Sequence, residues 1–127
     1  MKLRIQNNSV RLRLTRGEVE RMQREGQVNA AVTFPGGSRL EYALEASQAD
    51  RSPAARFAAG RLLVSLPEAD VQQWASSEQV SIEGAQPLSG GEQLAILVEK
   101  DFQCLTPREG EDEKDMFPHP LQDVESC

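Results

Sequence analysis

Residues 4–28 read RIQNNSVRLRLTRGEVERMQREGQV, and residues 56–80 read RFAAGRLLVSLPEADVQQWASSEQV. In the first stretch Val10, Leu12 and Leu14 alternate with Arg11 and Arg13, which is the period of a half-buried strand. Leu3 and Ile5 alternate in the same way, and Asn7-Asn8 between the two runs is turn chemistry, so the chain opens with a β-hairpin. Thr15 followed by Glu18 forms a capping box, Val19 and Met22 supply a short apolar stripe, and Gly26 is a suitable stop. A helix of about three turns follows from these signals. Beyond it, Val28 to Phe34, the Pro35-Gly36-Gly37-Ser38 turn and the alternating Leu40-Glu41-Tyr42-Ala43-Leu44 predict a second hairpin.

The second stretch repeats the first at a shift of 52. Arg4 meets Arg56, Ile5 meets Phe57, Leu12 meets Val64, Leu14 meets Leu66, Val19 meets Val71 and Met22 meets Trp74. Carried on without a gap, the same shift sets Gln27-Val28 against Gln79-Val80, Pro35 against Pro87, and Tyr42-Ala43-Leu44 against Leu94-Ala95-Ile96. The chain therefore reads as a tandem duplication of a strand-strand-helix-strand-strand unit, about residues 1–47 and 53–102, joined by the polar Gln48 to Pro53. Each unit has an exposed sheet face and unpaired edges, which are best buried about a pseudo-two-fold axis. The expected class is α+β: a curved, mostly antiparallel sheet of about eight strands, or a partial barrel, with two short helices. Arg11 and Arg13 become Leu63 and Ser65 in the second copy, so the strand at residues 61–66 is apolar on both faces and is expected to lie centrally.

The 127 residues fit one domain, residues 1–105, followed by an acidic, proline-containing segment, residues 106–127. The longest apolar run, residues 94–98, is too short to cross a bilayer, and MKLRIQNNSV lacks an apolar signal stretch. The expectation is a cytoplasmic protein with no membrane partner, whose two cysteines are free thiols. The net charge of −6 is unevenly spread: residues 1–24 hold seven bases against two acids, and residues 99–127 hold nine acids against three bases. An acidic total disfavours nucleic acid as a partner.

Strand alternation places Lys2, Arg4, Arg11 and Arg13 on one face of the first hairpin, and Arg56 is the counterpart of Arg4. Glu41 and Glu45 on the fourth strand, with Glu99 and Asp101, are the carboxylates available to oppose them. The face is either a charge-paired sheet surface or an anion pocket in which guanidinium groups hold a phosphate or carboxylate. A tunnel-type triphosphatase has a comparable lining, but its alternating glutamates are absent from MKLRIQNN. The Gly-Gly pairs in PGGSR (35–39) and LSGGEQL (88–94) each lead into a strand, so they read as hairpin turns and not as phosphate loops. Cys104, His119 and Cys127 could ligate a metal, but they lack the close ligand pairs of structural zinc sites. No catalytic constellation and no cofactor is read from the chain.

The stretches MKLRIQNNSVRLRLTRGEV and LAILVEKDFQCLTPREGEDEKDMFPHPL resemble an uncharacterised bacterial family of small proteins known only as a domain of unknown function. The resemblance implies a bacterial cytoplasmic protein and assigns no activity and no site residue. From the residues, the expectation is a non-enzymatic binding or adapter module for a protein partner. The alternative is a small-molecule anion binder or phosphohydrolase-like enzyme using Lys2, Arg4, Arg11, Arg13 and Arg56. DFQCL is expected to end the last strand with Phe102 in the core, and MFPHPL to dock on the domain with the acidic connector near the arginine hairpin.

Overall fold

The computed structural model describes residues 1–102. Its elements are β1 (Lys2–Gln6), β2 (Ser9–Leu14), α1 (Arg16–Glu25), β3 (Gln27–Thr33), β4 (Arg39–Ser47), β5 (Ala54–Ala58), β6 (Arg61–Pro67), α2 (Glu68–Ser76), β7 (Ser81–Pro87) and β8 (Gln93–Lys100). The α+β class and the order strand-strand-helix-strand-strand, taken twice, agree with the sequence. The capping box forms as read: the Glu18 amide donates to Thr15 Oγ1 at 3.4 Å, and the Thr15 amide donates to Glu18 Oε1 at 2.9 Å. Glu18 also pairs with the N-terminal ammonium of Met1. Burial alone would raise the Glu18 pKa, but the ammonium and the Thr15 hydrogen bonds outweigh it and hold the carboxyl below its usual range.

The eight strands do not form one sheet. They divide into two open four-stranded sheets, ordered β1-β2-β8-β7 and β3-β4-β6-β5. Each sheet takes one hairpin from each half of the chain. The junctions between hairpins, β2 with β8 and β4 with β6, are parallel, and every other pairing is antiparallel. The division follows from the helices, since α1 carries the chain from the first sheet to the second and α2 carries it back. Alternation in a strand reports which face is buried, not which strand lies alongside.

The halves correspond at a shift of 52 only as far as the helices. From β3 onward the shift is 54, because the β3–β4 pair Gln27 with Glu45 recurs in β7–β8 as Ser81 with Glu99. With both shifts applied, the junction pair Ser9 with Ala95 maps onto Arg61 with Glu41, which is the register observed. Val28 therefore matches Ile82 and not Val80, and Leu44 matches Val98 and not Ile96. Val28, Ile82, Leu44 and Val98 are all buried, whereas Val80 is exposed. The reason lies at the helix ends. Gly26 adopts the left-handed conformation (φ 77°) and turns the chain into β3 in a single residue. No glycine stands after α2, where Ser77 is extended, and residues 77–80 are needed to reach β7.

One hydrophobic cluster joins all the layers. Val10, Leu12, Leu14, Ile82, Ile96 and Val98 of the first sheet meet Val28, Leu44, Leu62, Val64 and Leu66 of the second. Val19 and Met22 of α1 and Val71 and Trp74 of α2 complete it. The helices pack on each other at one end of the sheets, where Gln72 Nε2 donates to the Gln23 carbonyl at 3.3 Å. Within each sheet the parallel junction puts both hairpin turns at the same end, away from the strand ends that lead into the helices. Both glycines of each Gly-Gly pair have positive φ, between 82° and 87°, as the hairpin reading requires. Strand β6 is internal in its sheet, as its apolar faces predicted, and so is β2.

Gly84 of β7 lies against the buried Pro53, and a Cβ at position 84 would come within 2.7 Å of Pro53 Cγ. Gly84→Ala is expected to cost about 1–3 kcal/mol by overpacking. Adding Pro53→Gly is expected to return most of the loss contributed by the clash, measured as the coupling term of a urea-denaturation double-mutant cycle. Strictly additive losses would show that this contact does not determine the cost.

Candidate functional site

The arginine face is built on the first sheet. In the β1–β2 register Lys2 stands opposite Arg13 and Arg4 opposite Arg11, so like charges face each other across the hairpin. The parallel neighbour β8 places Glu99 beside Arg13. Arg13 Nε contacts Glu99 Oε1 at 2.6 Å, and Arg11 Nε lies 3.8 Å from the same oxygen. Lys2 Nζ meets Asp101 Oδ2 at 3.0 Å, and the Asp101 amide donates to the Leu14 carbonyl at 2.8 Å. The Arg13 and Glu99 side chains are only 11% and 13% exposed. Arg13 Nη2 is buried without a hydrogen-bond partner, so this guanidinium is held largely by one carboxylate.

The structure does not unite all five cations named from sequence. Arg56 lies on β5, in the other sheet, opposite Leu63. The correspondence of Arg4 with Arg56 is genuine, but it is a correspondence between sheets and not a shared site. Glu41 and Glu45 are also on the second sheet, and Glu41 pairs with Arg39 at 3.2 Å and Arg61 at 3.8 Å. Of the carboxylates expected near the arginine hairpin, Glu99 and Asp101 are there and the β4 pair is not. The separation arises because α1 moves β3 and β4 away from β1 and β2.

Strand β8 ends at Lys100, and Phe102 is 57% exposed, which corrects its expected place in the core. Asp101 still donates its amide to the end of β2, and Phe102 stands beyond that last backbone contact. Cys104, His119 and Cys127, the acidic connector and MFPHPL lie outside the described residues. Among the described residues, no group of three or more His, Cys, Asp or Glu could hold a metal ion.

Exposed apolar side chains that sequence reasoning missed lie at the turn ends of the two sheets. Ile5 and Phe57 point to the inner faces of their sheets, beside Val10 and Leu62, yet they are 64% and 67% exposed. Phe34 and Leu88 flank the two Gly-Gly turns and are also exposed. These residues form two matched pairs, Ile5 with Phe57 and Phe34 with Leu88, one member from each half. Alternation identified Ile5 and Phe57 as inward-facing. It carried no signal that the helices close the inner faces at one end only.

The architecture defines a class: a small α+β domain of two interleaved halves whose sheets each draw on both. The chain belongs to the family of unknown function DUF7009, whose model matches residues 1–121. Neither a curated protein nor a solved structure matches it.

Proposed function

We propose that the domain is a non-enzymatic binding module that contacts a protein partner through the turn ends of its two sheets, in the bacterial cytoplasm. The observation that supports this reading is the matched exposure of Ile5, Phe34, Phe57 and Leu88 toward the turn ends of the two sheets. Aromatic and aliphatic side chains standing out of a rigid scaffold are the anchors that protein interfaces bury. Ile5 and Phe57 stand on paired strands, so their backbone needs no ordering on binding. No helix among the described residues is long and apolar enough to cross a membrane.

A photoreactive residue at position 34 or 57, in cells that natively produce the protein, is expected to yield one discrete heterologous adduct. The same probe at Gln72, at the helix end, is expected to yield none. Equal adducts from both ends, or none from the turn ends, would count against the reading.

A second reading draws on the buried, unpartnered Arg13 Nη2: a small phosphate- or carboxylate-bearing ligand bound on the arginine face. In that case phosphate, pyrophosphate, a nucleotide or a dicarboxylate raises the melting temperature with dose, and Arg13→Lys, which keeps the charge but loses the fork, abolishes the rise. No response to any of these anions leaves the binding-module reading alone.

A further inference from the structure

We propose that β3 is a self-pairing edge, through which two copies of this chain join their second sheets into one continuous eight-stranded sheet. The four edge strands of the described residues are β1 and β7 in the first sheet and β3 and β5 in the second. Proteins protect such edges with charges, prolines or covering groups. Three of the four are protected in this way. Strand β1 carries Lys2 and Arg4. Strand β5 carries Arg56, and its Ala55 amide is already occupied by Gln86 Oε1 at 2.8 Å. Strand β7 carries Glu83 and ends in Pro87. Strand β3, QVNAAVT, has neither a charge nor a proline, and Asn29, Ala31, Val32 and Thr33 are exposed.

The register shows which backbone groups are on offer. The Phe34 amide donates to the Ser38 carbonyl at 2.7 Å, so the even-numbered positions of β3 bond to β4. The odd positions Asn29, Ala31 and Thr33 therefore turn their N–H and C=O groups to the open side. Antiparallel pairing about a two-fold axis at Ala31 sets Ala31 against its own copy and Asn29 against Thr33, closing about six hydrogen bonds.

The absence of charge is what selects a second copy as the occupant. A different protein's strand could carry charges complementary to any edge. Self-pairing about a two-fold axis instead brings like charges close together, as pairing of β1 about Arg4 or of β5 about Arg56 would do. Strand β3 avoids that repulsion, and the small side chains of Ala30 and Ala31 let the two backbones approach. The inference does not depend on the partner reading above, which uses the turn ends and not a strand edge.

Sedimentation equilibrium of the full chain over a rising concentration series is expected to show a reversible species of twice the 14.0 kDa chain mass. In hydrogen exchange, the Asn29, Ala31 and Thr33 amides are expected to slow as concentration rises. Ala31→Lys, which opposes two ammonium groups across the axis, is expected to weaken the dimer about tenfold or more. Ala85→Lys, at the matching position of β7, is expected to leave it unchanged. A wild-type chain monomeric throughout, exchange at these amides independent of concentration, or equal weakening by the two lysine variants would overturn the proposal.

Discussion

Trp74→Ala is expected to lower the stability of the domain by about 3–5 kcal/mol, the range for removing a large buried aromatic. Trp74 has no exposed surface and sits where α2 meets the sheets. Its Nε1 donates to the Val80 carbonyl at 3.0 Å, so the substitution both opens a cavity and removes one of two donors to that carbonyl, which also accepts from the Lys100 amide at 3.0 Å. Against a typical total of about 5–15 kcal/mol, such a loss leaves a measurable unfolded fraction. Urea denaturation followed by far-UV circular dichroism checks it. Trp74→Phe is expected to recover most of the packing and to leave a deficit of about 0.5–1.5 kcal/mol from the lost hydrogen bond. Lys100 lies over the indole, with Nζ 6.0 Å from the ring centroid, and Lys100→Met is expected to cost less than about 1 kcal/mol. A Trp74→Ala loss below about 1 kcal/mol would mean that the helices do not close this end of the core.

Glu99→Gln is expected to be the most costly single change on the arginine face, at about 3 kcal/mol or more. The substitution keeps the side-chain shape and removes the negative charge that Arg11 and Arg13 share. What remains is an almost buried guanidinium facing Lys2 across the hairpin. The cost comes from stranding a charge and not from the worth of the pair, so replacing both members should reverse it. The double variant Glu99→Leu with Arg13→Leu is expected to approach wild-type stability in the same urea assay. Equal losses for the single and the double variants would show that the salt bridge itself supplies the stability. Salt distinguishes the two cases further, because this pair is shielded from solvent and responds less to ionic strength than the exposed Arg21–Glu25 pair.

Much of the scaffold was legible because local chemistry determined it. Thr15, Glu18 and Gly26 specified where α1 starts and stops, and the alternation of Val10, Leu12 and Leu14 specified the inner face of β2. The similarity of residues 4–28 to residues 56–80 pointed to matched halves, and the structure has a duplicated two-sheet arrangement. The partition into two sheets was not legible, because it depends on α1 and α2 crossing between layers, and nothing in a strand's own residues records its neighbour. The change of shift from 52 to 54 was hidden by Gln27-Val28 and Gln79-Val80, a coincidental match of residue types. The missing glycine after α2 was the available clue.

The candidate site was half legible. Period-two alternation placed Lys2, Arg4, Arg11 and Arg13 together correctly, and Glu99 was among the carboxylates named. Alternation gave no means of excluding Arg56, Glu41 or Glu45, since facing the same way in separate strands does not mean sharing a sheet. The exposed Ile5 and Phe57 illustrate the same limit, because burial of an inward-facing residue depends on what covers that end of the sheet.

The parallel junction between β2 and β8 pairs Ser9 with Ala95, and the second sheet is likewise completed only by β5 and β6. A chain emerging from the ribosome therefore cannot finish either sheet from its first 47 residues. Those residues supply two hairpins and a helix whose apolar faces stay wet until β8 has been synthesised. Such long-range closure makes folding slow and largely post-translational, with early hairpins exposed to aggregation in the interval. A nick within Gln48–Pro53 after folding would leave the two fragments interlocked, each holding half of both sheets.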